Sequence, residues 1–277
     1  FNPRKYHPEE WVTLAQEARM KYMVLTTRHH DGFSLFDSEV SEFTAPKTAA
    51  KRDLVAEYVE ACRSKGMRIG FYYSLLDWRY PAYFSGPEKE PKGWAKFLEY
   101  VHTQVRELCT NYGRIDVLWY DGAWPWDAEA WQSVKLNAMV RKLQPHILIN
   151  NRSQLPEDFD TPEQQISAPK DPKRPWETCM TMNDNWGYSA GDHNWKSTRQ
   201  LIHNLVRCAT GAGNYLLNVG PKPDGTIPPP SIRRLKEIGK WMKVNGESIY
   251  GSERCPFRGG MIGLTTARGS TVYLHVL

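Results

Sequence analysis

Residues 115–122 read IDVLWYDG, and the fold turns on them. A half-buried strand shows a polar residue at every second position, whereas VLWY shows none. Both of its faces are therefore covered, as in a parallel sheet flanked by helices. Directly after this run stands Asp121. A carboxylate at that place is costly to bury without partners. It is either the N-cap of a following helical turn or a functional group at a strand end, and spacing alone does not choose between them.

Outward from this stretch, β-rich runs at Lys21–Thr27, Arg68–Ser74, Ile115–Tyr120, His146–Asn150, Trp176–Met182 and Asn214–Val219 read as strands. Between and around them, Pro8–Met20, Asp53–Lys65, Trp94–Tyr112, Ala128–Leu143, Thr198–Thr210 and Ser231–Val244 carry apolar residues at helical spacing. Tyr80–Lys92 and Gly220–Pro230 read as loops. The alternation predicts an α/β chain of the (β/α)8-like, TIM type, and 277 residues suit one such barrel. Six strands fall short of eight, and a helix precedes the first of them, so an earlier strand is expected before Phe1. Past Gly246 the pattern changes to short strands with Gly-rich turns. The chain thus divides into a barrel at 1–252 and the opening of a β-rich, sandwich-type domain at 253–277.

Bulk properties exclude several classes. The formal charge of +5 comes from 36 basic and 31 acidic residues that are interleaved, which gives no phosphate-binding surface and no nucleic-acid partner. No apolar run approaches the roughly 20 residues of a membrane span, so no membrane partner is expected. Cys62, Cys109, Cys179, Cys208 and Cys255 are scattered and lack zinc-type spacing. An aromatic share of 12% supplies flat faces suited to the apolar side of a sugar ring, although core filling must account for most of it. The sequence carries no indication of oligomeric state.

In a parallel barrel, side chains at the carboxyl ends of the strands converge on one face. That rule selects His29 and His30 in TTRHHDGF, Tyr72 and Trp78 in FYYSLLDW, Asp121, Arg152 in INNRS and Glu163 in DFDTPEQ. It also selects Glu177 in PWETCM, Trp186 and Tyr188 in NWGYS, and Asn218 in LLNVGP. Each has a bland alternative. Glu163 reads equally as a solvated loop carboxylate, Glu177 as a buried, paired strand residue, Arg152 as a structural ion pair, and each aromatic as core. The adjacent His29 and His30 raise a metal site, but neighbours on a regular strand point to opposite faces and no ligand set accompanies them. Hydrogen bonding to a polyhydroxylated ligand is the better reading, and no metal or cofactor is expected.

Taken in order, TTRHHDGFSLFDS, KRDLV, GFYYSLLDW, DVLWYDG, INNRS, DFDTPEQ, NWGY and GNYLLNVGPKPDGTIP resemble the motifs of family twenty-nine of the glycoside hydrolases, the retaining α-L-fucosidases. The resemblance runs from about Phe1 to about Tyr250. It implies that Asp121 attacks the anomeric carbon and that Glu163 is the acid/base, with Glu177 of the WE motif as the alternative. It also implies that His29, His30, Tyr72, Trp119 and Arg152 line a fucose pocket, and that Trp186 walls the sugar's methyl group. The implied partner is a fucosylated oligosaccharide or glycoconjugate, in a secreted, periplasmic or lysosomal setting. Asn151 stands where many relatives carry Asp before the arginine, and relatives add a histidine and a glutamate from segments that would precede Phe1.

Retention needs two carboxyl groups about 5 to 5.5 Å apart, one attacking the ring carbon and one protonating the leaving oxygen. Asp121 is expected to stand near histidine and arginine cations and to stay ionised. Two rival readings remain: a fucose-binding barrel with impaired catalysis, and a metal-dependent hydrolase built on the two histidines.

Overall fold

The computed structural model describes residues 1–257 and 263–277. Helix α1 (Pro8–Glu17) comes first, followed by β1 (Tyr22–Arg28), α2 (Leu54–Ser64) and β2 (Arg68–Ser74). Next are α3 (Pro81–Lys89), α4 (Pro91–Asn111), β3 (Val117–Asp121), α5 (Ser133–Leu143) and β4 (Leu148–Ile149). The second half holds β5 (Glu177–Met180), α6 (Thr198–Thr210), β6 (Asn214–Leu217) and α7 (Pro229–Asn245). Three short strands close the chain: β7 (Glu253–Arg254), β8 (Leu264–Arg268) and β9 (Thr271–His275). The residues group into two compact units, Phe1–Arg4 with Lys21–Asp158 and Lys5–Met20 with Phe159–Leu277.

In the first unit, β1 to β4 form one parallel sheet in sequence order, with helices in the connections, the α/β pattern of the (β/α)8-like class. All five residues of β3 are buried, as its unbroken apolar run requires. The register pairs Tyr72 with Trp119 and Ser74 with Asp121, which sets those side chains along one end of the sheet. Helix α2 starts where the Asp53 carboxylate accepts the Ala56 N–H at 2.8 Å, an N-cap worth about 1 kcal/mol.

Strand β1 ends irregularly. Thr26 pairs with Tyr72 but Arg28 pairs with Tyr73, so one extra residue is inserted in β1. Such a bulge re-aims the side chains beyond it. Here Thr27 and Arg28 are both fully buried. The Arg28 guanidinium meets Asp77 at 3.0 Å, donates to the Tyr100 hydroxyl at 3.1 Å and to the carbonyls of Ser74 and Leu76, and lies over the Tyr73 ring. Asp77 is also fully buried and accepts Arg79 Nη2 at 2.7 Å. The backbone at Gly32 (φ 75°) passes so close that a Cβ there would lie 2.3 Å from the Asp77 carboxylate.

In the second unit, β5 and β6 pair in parallel, and residues 160–163 run beside β5 through bridges of Asp160 to Trp176 and Glu163 to Cys179. Leu14, Leu201, Leu235, Ile238 and Met242 bring α1, α6 and α7 onto one apolar cluster. Ser197 and Gln200 close a reciprocal capping box at the start of α6. Strands β7, β8 and β9 form an antiparallel sheet.

All six strands expected from sequence are present: β2 has the expected bounds, β1 and β3 are shifted to end one residue later, and β4, β5 and β6 are shorter. One expectation fails: Tyr80–Lys92 is not a loop, because Pro81–Lys89 folds as α3 and α4 begins at Pro91. Gly86 and Pro87 hid the helical spacing. Gly86 leaves helical geometry at φ 82°, with the Trp126 ring filling the place of its missing side chain. Of the short strands expected over Cys255–Leu277, the part at 258–262 lies outside the described residues. Among the described residues no helix is long and apolar enough to cross a membrane.

The Arg28–Asp77 pair yields a stability prediction. Replacing Asp77 with Ala strands a buried guanidinium and should cost about 3–5 kcal/mol. Replacing Lys5, which meets Asp224 at 3.4 Å in the open, should cost little, because solvent screens the pair. Urea midpoints of the two variants check the contrast, and equal small losses would show that the buried pair constrains nothing.

Candidate functional site

Asp121 is the last residue of β3 and is only 8% exposed. The next helix, α5, begins twelve residues later at Ser133, so the N-cap alternative does not apply. The Asp121 carboxylate is held instead by two neighbouring strand ends. Tyr72 donates its hydroxyl to Oδ2 at 2.7 Å, and Arg152 donates Nη1 to Oδ1 at 3.1 Å. The Arg152 guanidinium lies 4.7 Å from the centre of the Trp119 ring, which limits where that cation can sit. His30 Nε2 is 3.7 Å from Oδ2, beyond hydrogen-bond reach.

Aromatic faces line the same place. His29 stacks on Tyr72 at 5.7 Å and 8°, and Tyr72 stacks on Trp119 at 5.7 Å and 20°. The His29 and His30 rings lie 4.0 Å apart, which the regular alternation of a strand forbids and the irregular end of β1 permits. After β3 the chain turns through Gly122 at φ 71°, where a Cβ would fall 2.8 Å from Leu76 Cβ and 3.0 Å from Ser74 Oγ. A glycine is needed there for both reasons.

Six residues selected from sequence are thus brought together in the first unit: His29, His30, Tyr72, Trp119, Asp121 and Arg152. Glu163, Glu177 and Trp186 belong to the second. Glu163 is exposed, but it sits in a backbone-paired segment, since Cys179 N–H donates to the Pro162 carbonyl and Gln164 N–H to the Cys179 carbonyl. Its loop reading is corrected to a strand-like segment beside β5. Glu177 opens β5 and is 3% exposed, as its buried reading anticipated. Trp186 is exposed, and its main-chain carbonyl accepts Asn218 Nδ2 at 2.7 Å. Trp78, for which core packing was the alternative, is 57% exposed and lies 5.8 Å from the His30 ring.

Several supporting residues carry no signal in the sequence. Trp124, 49% exposed, approaches His30 edge-on at 5.8 Å. Ser74 holds His30 Nδ1 at 2.7 Å. Asn150 exchanges hydrogen bonds with both main-chain groups of Tyr120, at 2.8 and 2.9 Å, and so braces the strand that ends in Asp121. The motifs FYYSLLDW and INNRS contained Ser74 and Asn150, but neither residue is of an obviously catalytic type.

Electrostatics also corrects one expectation. Burial, reinforced by the neighbouring His29, pushes His30 down to about 4, outweighing the attraction of Asp121. Loss of solvent lowers His29 in the same direction. At neutral pH the histidines are therefore neutral hydrogen-bonding groups, and Arg152 is the cation that faces Asp121. Among the described residues no group of three or more His, Cys, Asp or Glu side chains is placed to hold a metal ion.

Comparison with known proteins covers nearly the whole chain. A family model described as alpha-L-fucosidase matches residues 1–247. The human tissue alpha-L-fucosidase is 33% identical over 292 residues, which is 99% of this chain and 62% of that protein. The Dictyostelium discoideum alpha-L-fucosidase is 31% identical over 91% of this chain and 57% of its own length. The chain therefore spans about three fifths of the curated relatives it matches. Among solved structures, alpha-L-fucosidase isoenzyme 1 from Paenibacillus thiaminolyticus is 40% identical with a TM-score of 0.92, over 100% of this chain and 72% of that one. A GH29 alpha-L-fucosidase from Bacteroides thetaiotaomicron, trapped as a covalent intermediate with 2-fluoro-fucosyl fluoride in a glutamate-to-glutamine mutant, is 31% identical with a TM-score of 0.91. That likeness covers 99% of this chain and 69% of that one.

The neutral His30 has a consequence for acid stability. At pH 7.5 the ring is uncharged whether the chain is folded or not. As pH falls through 6.5 the unfolded ring binds a proton that the folded ring refuses until about pH 4, so stability drops across that window. Between pH 7.5 and 5, the urea midpoint of the wild type should fall further than that of His30→Gln. Equal falls would remove His30 as a source of the acid sensitivity.

Proposed function

The chain belongs to the alpha-L-fucosidase family, and on that premise we propose that it hydrolyses terminal α-L-fucosyl residues of oligosaccharides or glycoconjugates with retention of configuration. The observation that carries this reading is the setting of Asp121, a buried carboxylate at a strand end with one oxygen on Tyr72 and the other on Arg152. Two hydrogen bonds orient it without protonating it, which suits an attacking group. Asp121 displaces the leaving oxygen at the anomeric carbon and forms a fucosyl ester. Glu163 gives its proton to that oxygen, then takes one from the water that cleaves the ester. His29, His30, Tyr72, Trp119 and Arg152 hold the sugar, and Trp186 packs on its methyl group. Residues 1–252 form the catalytic part in this reading, and no cofactor takes part.

Replacing Asp121 with Gly should lower turnover of an aryl α-L-fucoside by on the order of a thousandfold or more while leaving the fold intact. Added azide should restore cleavage and give a fucosyl azide of inverted configuration. A variant that keeps a near-normal rate removes Asp121 as the nucleophile.

The acid/base assignment to Glu163 is tested by leaving-group dependence. A general acid contributes about 10²–10⁴-fold when the leaving group is poor, and little when an activated aryl group departs unaided. Glu163→Ala should therefore slow a fucosyl disaccharide far more than it slows fucosylation by an activated aryl fucoside, and azide should give a product of retained configuration. Glu177→Ala should instead destabilise the protein, without that dependence. The leaving-group signature at Glu177 alone would reverse the two roles.

A further inference from the structure

We propose that Ser74 is a positioning residue that fixes His30 as the Nδ1–H tautomer, leaving Nε2 beside Asp121 as a hydrogen-bond acceptor for a hydroxyl of the bound sugar. The acceptor role rests on the hydrolase reading above, whereas the tautomer does not.

Ser74 is fully buried, and its Oγ lies 2.8 Å from the Leu76 carbonyl and 2.7 Å from His30 Nδ1. A carbonyl oxygen only accepts, so the single Ser74 proton must point to it; otherwise two oxygens would face each other at 2.8 Å with no proton between them. The hydroxyl then offers His30 a lone pair, and Nδ1 must carry the proton. The Leu76 carbonyl is itself fixed, because Arg28 Nη2 donates to it at 3.3 Å and Asp77 anchors Arg28. The tautomer of His30 is therefore set through a chain of contacts that begins at the buried ion pair.

The far side of the ring agrees. In the opposite tautomer Nε2–H would face Asp121 Oδ2, and a donor and a carboxylate so placed draw together to about 2.7–2.9 Å. They stand at 3.7 Å, the spacing of two acceptors that share a donor or avoid each other. Tyr72 already supplies a proton to that oxygen. A polyhydroxylated ligand brings O–H donors, and Nε2 offers one of them a site within a few ångströms of the attacking carboxylate. Because burial and His29 keep the ring neutral down to about pH 4, the acceptor persists through the neutral and mildly acid range. Tyr72 and Arg152 are donors toward Asp121, so an acceptor here adds a function those two do not provide.

The test is nitrogen NMR of the full chain with labelled histidine at pH 7, with His30→Gln identifying the His30 signals. The expected wild-type spectrum has a protonated Nδ1 and a bare Nε2 for His30. The reverse pattern in the wild-type spectrum overturns the proposal. In Ser74→Ala the ring should move toward the Nε2–H form, and kcat/KM for an aryl α-L-fucoside should fall about tenfold, the scale of one hydrogen bond. An unchanged tautomer in that variant refutes the role of Ser74, and a changed tautomer with undiminished kcat/KM refutes the acceptor role of Nε2. A chain that shows the tautomer yet cleaves no fucoside sinks the hydrolase reading and leaves the Ser74–His30 relation standing.

Discussion

The ion pair between Arg28 and Asp77 is the constraint on which the ends of β1 and β2 depend. Both side chains are fully buried, and a lone charge in that position is costly, so neither partner tolerates loss of the other. Its effect is geometric. Arg28 ends β1 immediately before His29 and His30, while Asp77 lies just past β2 immediately before Trp78. Closing the pair forces those two segments together, and the Trp78 N–H donates to the His30 carbonyl at 2.8 Å. Because Arg28 also takes the carbonyls of Ser74 and Leu76, the turn that leaves β2 has little freedom. Buried ion pairs are weak evidence for stability, but this one fixes the place where two loops can sit.

Around Asp121 the charges nearly balance. A carboxylate at the end of a fully buried strand needs compensation, and Arg152 supplies one cation to match one anion. Two protonated histidines would have added charges of the same sign as Arg152 within a few ångströms of one another. Burial removes that problem by making neutral imidazoles the cheaper state. The aromatic stack of His29, Tyr72 and Trp119 fits the same requirement, since flat faces cover the carboxylate's surroundings without adding charge. In the mechanism we propose, an anion opposite one cation and neutral rings meets the developing positive centre of the sugar.

Legibility of this structure in the sequence depends on the physics of each signal. VLWYD was readable because a parallel strand buried on both faces leaves an unbroken apolar run, and the other five strands were readable as β-rich runs alternating with helical spacing. Pro81–Lys89 was not, because Gly86 breaks the helical angle that apolar spacing presupposes. The cluster of His29, His30, Tyr72, Asp121 and Arg152 was readable as a set of strand-end residues of chemically active types. Asp77 and Ser74 were not, although their motif was in view. Asp77 acts by pairing with a residue forty-nine positions earlier, and Ser74 acts through one hydroxyl proton, and neither has a pattern in one dimension. Neutrality of His30 was likewise invisible, since it depends on burial rather than on neighbours in the chain.

The same distinction bears on the two glutamates. Glu177 opens β5 and is buried, while Glu163 lies on the adjoining paired segment and is exposed. A general acid has to meet a leaving group that extends away from the sugar, and then admit water to the same position. An exposed side chain is suited to both steps, whereas a buried one must first be uncovered. Backbone pairing of residues 160–164 with 175–179 gives Glu163 a rigid base despite its exposure, since its neighbours Pro162 and Gln164 are both bonded to Cys179. Reach toward solvent and a fixed main chain are the two properties that support the acid/base role we propose for Glu163.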